Sequence, residues 1–549
     1  MRSLRAVLSA RTWFSLALVA ALAAAVYRVE RRPRPAVAAR PAPCVLRRGI
    51  GGEPESLDPA AARSEAALTV LRDLGEGLTS IGPDDRPVFA AADRVVVSAD
   101  GLRYTFHLRR AGRWSNGAPV VAADFVAAWR RLVDPATAAQ YSGLLAPVAN
   151  AVAIAAGKAL PATLGVRAAG PRILVVTLAQ PTPYLLSLVA HPATFPIYRP
   201  ALARYGSRFV RPGIMVSNGA YRLERWLFGS HLVAVRNRYY WNDAATRIAR
   251  IDYDTSTDSA AELRAFRAGD LDITATIPPD DFRWVEEHLR GRLRVTPELA
   301  VYYLGFNLTR PPFAHAAPLR RALAMVIDRE RLVESVTGGG ERPAYTFVPP
   351  GIPGYSPPLP AYAHWPMSVR IARARALLAA AGYGARPPRI ELRYNSGALH
   401  ERIAVAVAAM WKRALGVDTV LHAEEYKVLV HDVNRARVTQ VFRASWVADY
   451  ADPISFLGLL RAGSGIDPPH YASPIYDAWL RRAGAATDPA RRAQLLARAE
   501  AVMLHDQPIV PLFDYVAKHL VAADVRGWRD NAMDIVYDKD LRLGAPRRH

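Results

Sequence analysis

Residues 104–135 read YTFHLRRAGRWSNGAPVVAADFVAAWRRLVDP and contain both kinds of secondary structure that recur along the chain. The run 103–108 (RYTFHL) alternates in polarity, as a half-buried strand does. From 120 to 133 the apolar residues return at helical spacing, and Pro119 is expected in the first turn of that helix, where its missing N–H is harmless. Strand patterns recur at 172–178 (RILVVTL), 231–235 and 389–394. Helical patterns recur at 368–381 with Gly382 as its cap, at 401–415, and at 489–504 with Asp488 as N-cap. Strands and helices alternate throughout, so the predicted class is α/β. The Pro-rich run 349–360 is expected as a surface excursion, and no repeat of fixed period is visible.

The chain has 549 residues, 51% hydrophobic and 22% charged, which suits a large buried core and excludes disorder along its whole length. Continuous apolar sequence occurs only at 13–26, which excludes a multi-spanning membrane protein. The net charge is +22, and only five of the 71 basic residues are lysines. The arginines are scattered, not gathered into a stripe or a recognisable module, so no nucleic-acid partner is expected. A basic surface would still be drawn to anionic polymers or lipids. Cys44 is the single cysteine, which excludes an intrachain disulfide and cysteine-based zinc spacing. No nucleophile elbow, P-loop, HExxH or dinucleotide fingerprint is present. A catalytic residue, a cofactor and a metal are therefore not expected, and the chain reads as a non-enzyme.

Arg2, Arg5 and Arg11 precede the apolar stretch, and Ala23, Ala24 and Ala25 lie near its end. This is the pattern of a signal peptide over 1–25, with an uncleaved anchor as the alternative. Residues 26–44 read as a basic linker rich in Pro and Ala. The expected location is the periplasm, by export.

Several segments, in order, resemble the extracellular solute-binding protein family 5, the binding proteins of peptide ABC importers. They are 53–59 (EPESLDP), 73–78 (DLGEGL), the opening stretch 104–135, 217–221 (SNGAY), 240–242 (YWN), 266–272 (FRAGDLD), 302–307 (YYLGFN) and 508–511 (PIVP). Asn116 and Val121 depart from the Asp and Thr usual in the family's signature. The resemblance implies a two-lobed periplasmic-binding-protein-like fold of type 2 with an extra subdomain in the first lobe. By register the first lobe would comprise 45–75, 200–298 and 516–549, the extra subdomain 76–199, and the second lobe 299–515.

The resemblance also implies site residues. In 446–450 (WVADY), Asp449 matches the carboxylate that receives a peptide's α-ammonium. Its surroundings (VFRASWVADY) are mostly apolar, so a carboxylate there needs a cation to offset its desolvation. The competing readings are an internal salt bridge or a helix cap. Arg443 and His400, the latter in 394–400 (YNSGALH) with Asn395, match cations that meet the peptide's C-terminal carboxylate. An internal ion pair competes for Arg443. Tyr141 and Tyr303 match aromatic residues of the cleft, with core packing as the alternative, and Trp446 would wall a pocket or pack in the second lobe. Peptide-binding relatives carry a cysteine pair where this chain has Val447 and Ala300. Arg63 lies near a position where they have an acid, and Asn434 or Arg435 stands where they have a further arginine.

The expected function is an exported, monomeric binding protein that captures short peptides by backbone and charged termini and hands them to a membrane permease of an ABC importer. The same fold binding a murein peptide, haem, a metal chelate or an oligosaccharide is the nearest alternative. A membrane-anchored envelope chaperone or scaffold is the alternative of another class.

Overall fold

Along Arg103–Leu108 the side chains alternate between inside and outside, with Tyr104, Phe106 and Leu108 buried, as the pattern of the opening stretch requires. The structure is a computed structural model and describes residues 44–436, 440–462 and 467–544. The expected signal peptide and nearly all of the basic linker lie outside the described residues. In chain order the first strands are β1 (Val45–Gly49), β2 (Ala92–Val97), β3 (Arg103–Leu108), β4 (Val166–Ala168) and β5 (Ile173–Thr177). Then come β6 (Tyr221–Leu227), β7 (His231–Arg236), β8 (Arg250–Asp254), β9 (Leu293–Phe306) and β10 (Arg342–Pro343). The last four used here are β11 (Arg389–Asn395), β12 (Asp418–Glu424), β13 (Val441–Val447) and β14 (Ile509–Leu520).

They form two four-stranded sheets, ordered β1-β8-β7-β6 and β2-β3-β5-β4, and one six-stranded sheet, ordered β10-β14-β9-β13-β11-β12. In the large sheet β9 pairs antiparallel with β14 from Leu293–Leu520 to Gly305–Ile509, and the ladder breaks between Pro297 and Val301. β13 lies antiparallel on the other side of β9, with Ala300 opposite Val447 and Leu304 opposite Arg443. Side chains alternate across a strand, so the two faces of this sheet carry separate cores. Tyr302, Leu304 and Phe306 pack with Leu392, Trp411 and Phe513. Leu299, Val301 and Tyr303 pack with Phe347, Phe456 and Leu496.

The helices that matter for the site and its support are α1 (Glu65–Leu74), α2 (Ala122–Val133), α3 (Met367–Ala380), α4 (Ala398–Leu415) and α5 (Pro489–Asp506). α2 starts later than the sequence pattern implies. Asp124 accepts hydrogen bonds from the Val121 N–H and the Trp114 indole, each 3.1 Å, and this closes the first turn after Val121. Pro119 therefore precedes the helix, in a bridge with Arg113. α3 ends before Gly382, which takes the left-handed conformation just after it (φ +85°). α5 begins as expected, with the Asp488 carboxylate accepting from the Arg491 N–H at 2.6 Å. The Pro-rich excursion is anchored from below by buried Ile352 and Tyr355, whose hydroxyl donates to Glu500 at 2.5 Å.

Some of the arginine excess is internal. Arg329 is fully buried and donates to the carbonyls of Ala344, Pro511, Ala324 and Ile327. Arg320 does the same for Phe313, Asp506 and Gln507. A planar guanidinium with five donors can satisfy several converging carbonyls, which a lysine cannot match. Among the described residues, no helix is long and apolar enough to cross a membrane.

Candidate functional site

Asp449 stands two residues beyond the end of β13, where its N–H donates to the Ser455 hydroxyl at 3.1 Å. It lines a cavity of about 190 Å³ together with Tyr141 and Val447, two other residues expected at the site. α1 contributes Glu65 and Arg72 to the same cavity, and Glu298 reaches it from β9, in the gap where the ladder with β14 is broken. Among the described residues, no cation lies within ion-pairing distance of Asp449. Burial, with some repulsion from Glu65, pushes its carboxyl up to about 7. The internal salt bridge that competed with the ligand role is absent among the described residues.

Tyr141 packs on His191 with ring centroids 4.6 Å apart. Burial holds the His191 pKa down to about 3, so this pair is an uncharged wall. Val447 is half exposed and lines the cavity. Arg63, by contrast, is exposed and absent from the lining; Glu65 and Arg72 stand there instead.

A second cluster forms further up β13. Arg443 lies with its guanidinium 4.7 Å above the Tyr302 ring. It donates to Asn395 at 3.1 Å and to the hydroxyls of Ser445 and Tyr515, each at 3.2 Å. Its Nε is buried with no partner, and no carboxylate pairs with it among the described residues. Hydroxyl and amide oxygens orient the group without neutralising it, which leaves a fixed cation able to take an anion. His400 joins through the Tyr302 hydroxyl at 3.4 Å. Burial and the neighbouring Arg443 push the His400 pKa down to about 4, so it enters the cluster as a neutral donor or acceptor and not as a second cation.

Trp446 and Tyr303 lie elsewhere. They share the sheet face opposite to Arg443 and belong to the core that contains Phe347, which Tyr303 meets edge-on at 5.4 Å. Tyr303 is 2% exposed. The Trp446 indole N–H is buried without a partner among the described residues. Asn434 and Arg435 are exposed at the end of their helix. Sequence reasoning passed over Tyr302, Ser445 and Tyr515 around Arg443, and Glu65, Arg72 and Glu298 in the cavity.

Residues 86–468 match the model for bacterial extracellular solute-binding proteins, family 5 middle, and this match decides the family. The chain belongs to it. It is 35% identical over 503 residues to the periplasmic oligopeptide-binding protein OppA of Salmonella typhimurium, covering 91% of this chain and 92% of the relative. It is 36% identical over 505 residues to the probable deoxycholate-binding periplasmic protein YgiS of Escherichia coli, covering 91% and 94%. The structure of Haemophilus influenzae OppA in complex with the peptide RPPGFSPFR superposes with a TM-score of 0.78 at 34% identity, covering 91% of this chain and 99% of that one. The fold of this family 5 protein is accordingly the two-lobed α/β fold of periplasmic binding proteins.

Proposed function

We propose that this protein is a periplasmic binding protein for short peptides, with no chemistry of its own, that delivers them to the membrane permease of an ABC importer. The observation that carries the reading is the pairing of Asp449 and Arg443, a carboxyl and a guanidinium with no counter-charge among the described residues, six residues apart. That much extended chain spans at most ~20 Å, which sets an upper limit of about six residues on an extended peptide held by its α-ammonium and α-carboxylate. Extended backbone between the two charges would be held much as an added strand is, with side chains left to adaptable pockets. The name of the Salmonella relative supports the periplasm and the binding of oligopeptides.

The break in the β9–β14 ladder at Pro297–Val301 coincides with the expected boundaries at 298/299 and 515/516, and it supports a first lobe of 45–75, 200–298 and 516–549 against a second of 299–515, with 76–199 as the extra subdomain. On this reading residues 1–25 are a signal peptide and the protein acts as a monomer.

Native mass spectrometry of the protein purified without refolding, followed by release and sequencing of what it carries, tests the function. A mixture of short peptides is expected. A single steroid acid or another defined non-peptide species would keep the fold and replace the substrate. An empty protein that ignores a peptide library would remove the transport reading.

A further inference from the structure

The cavity around Asp449 holds a second carboxylate that the charges near it leave unbalanced. Glu298 lines the same cavity, and burial together with Asp534 and Glu65 pushes it up to about 7. Each neighbouring cation is already committed. Arg48 pairs with Asp538 at 2.5 Å, and Arg72 faces Glu65 at 3.8 Å. Lys518 pairs with Glu341 at 2.6 Å, and His519 pairs with Asp534 at 2.9 Å. His191 is neutral. Among the described residues, Asp449 and Glu298 are thus the two cavity carboxylates with no cation of their own.

Desolvating two carboxylates in one cavity without counter-charge is costly, and the cost is recovered when a ligand brings the charge. One ammonium satisfies Asp449. A ligand with a single charge would leave Glu298 to be protonated or uncompensated. We propose that Glu298 is a specificity-determining residue that receives the side-chain cation of a lysine or arginine near the N-terminus of the bound peptide. This rests on the reading of Asp449 as the seat of the α-ammonium. The site then prefers peptides carrying two positive charges at that end. Its position fits the role, because Glu298 projects where β9 is released from β14 and its backbone is free of the ladder.

The test compares Lys-Ala-Ala, norleucine-Ala-Ala and Ala-Ala-Ala by calorimetry on the full protein and on Glu298→Gln. The wild type is expected to bind the lysine peptide about tenfold or more tightly than the norleucine peptide, the scale of one charge-assisted hydrogen bond. The Gln variant is expected to lose that ratio. In the wild type near pH 7 the lysine peptide should also release protons from Glu298, seen as a dependence of the heat on buffer, and the variant should lose this component. A lysine preference that survives in Glu298→Gln, or a wild type that binds the alanine and lysine peptides alike, overturns the proposal and leaves peptide capture standing. The norleucine comparison decides the charge effect in the wild type even if the variant folds poorly. Failure of all three peptides to bind overturns the peptide reading and this inference with it.

Discussion

Tyr184 stacks on Tyr450 with ring centroids 5.1 Å apart and planes within 4° of parallel. Arg492 lies 5.4 Å from the Tyr184 ring and forks onto Asp452 with bonds of 2.7 and 2.8 Å. The residue next to Asp449 is therefore clamped to a segment far away in sequence. Tyr184→Ala is expected to lower stability by about 1–2 kcal/mol, from the ring pair and its buried area, and to weaken peptide binding several-fold. Tyr184→Phe, which keeps the ring pair and loses the hydroxyl's hydrogen bond with Tyr450, should retain most of both. Denaturant melts and calorimetry on the two variants check this.

Asp449→Asn keeps the shape and removes the charge. Peptide affinity should fall roughly 10- to 100-fold, as the loss of a hydrogen bond to a charged group predicts. The protein should remain folded, with an unchanged circular dichroism spectrum. An N-acetylated peptide, which has no ammonium, should bind the variant and the wild type equally weakly.

The same carboxyl makes a pH prediction. Its folded pKa of about 7 lies above the ordinary carboxylate value, so the folded protein holds the proton more tightly than the unfolded chain. The stability it contributes is fully present below about pH 4 and is lost as the pH rises towards 7 and beyond. The ligand-free Asn variant should gain stability relative to the wild type across that window, and bound peptide should abolish the difference. A flat difference between the two unfolding curves from pH 4 to 8 would contradict it.

Arg443→Gln should reduce the affinity for peptides with a free C-terminus by about tenfold or more and change that for C-terminal amides little. Arg443→Lys should rescue only part, since an ammonium cannot keep the Asn395, Ser445 and Tyr515 contacts and the Tyr302 stack together. A wild type that binds acid and amide forms equally would remove Arg443 from the ligand.

The α/β class was legible from alternation and helical spacing, because those periods reflect which side of each element is buried. Sheet order was not, because β9 and β14 pair across most of the second half of the chain and no local pattern encodes that partner. The resemblance brought Asp449, Arg443, Asn395 and His400 into view. Strand parity could have gone further: once Ala300 is set opposite Val447, Tyr302 falls on the Arg443 face and Tyr303 with Trp446 on the other. Glu298 left no sequence signal, since a glutamate between Pro297 and Leu299 is unremarkable until its neighbours' ion pairs are known. The His400 charge state was equally invisible, being set by burial and by a guanidinium that arrives from β13.

Ala300 sits opposite Val447, so the strand bearing the site is fastened there by ladder pairing with β9. Cys44, the chain's one cysteine, lies just ahead of β1 and outside the site. Nothing in the assembly of the cleft waits on an oxidant. The protein should reach the same binding-competent state in a reducing cytosol as in an oxidising compartment, and a reductant in the buffer should leave ligand capture untouched.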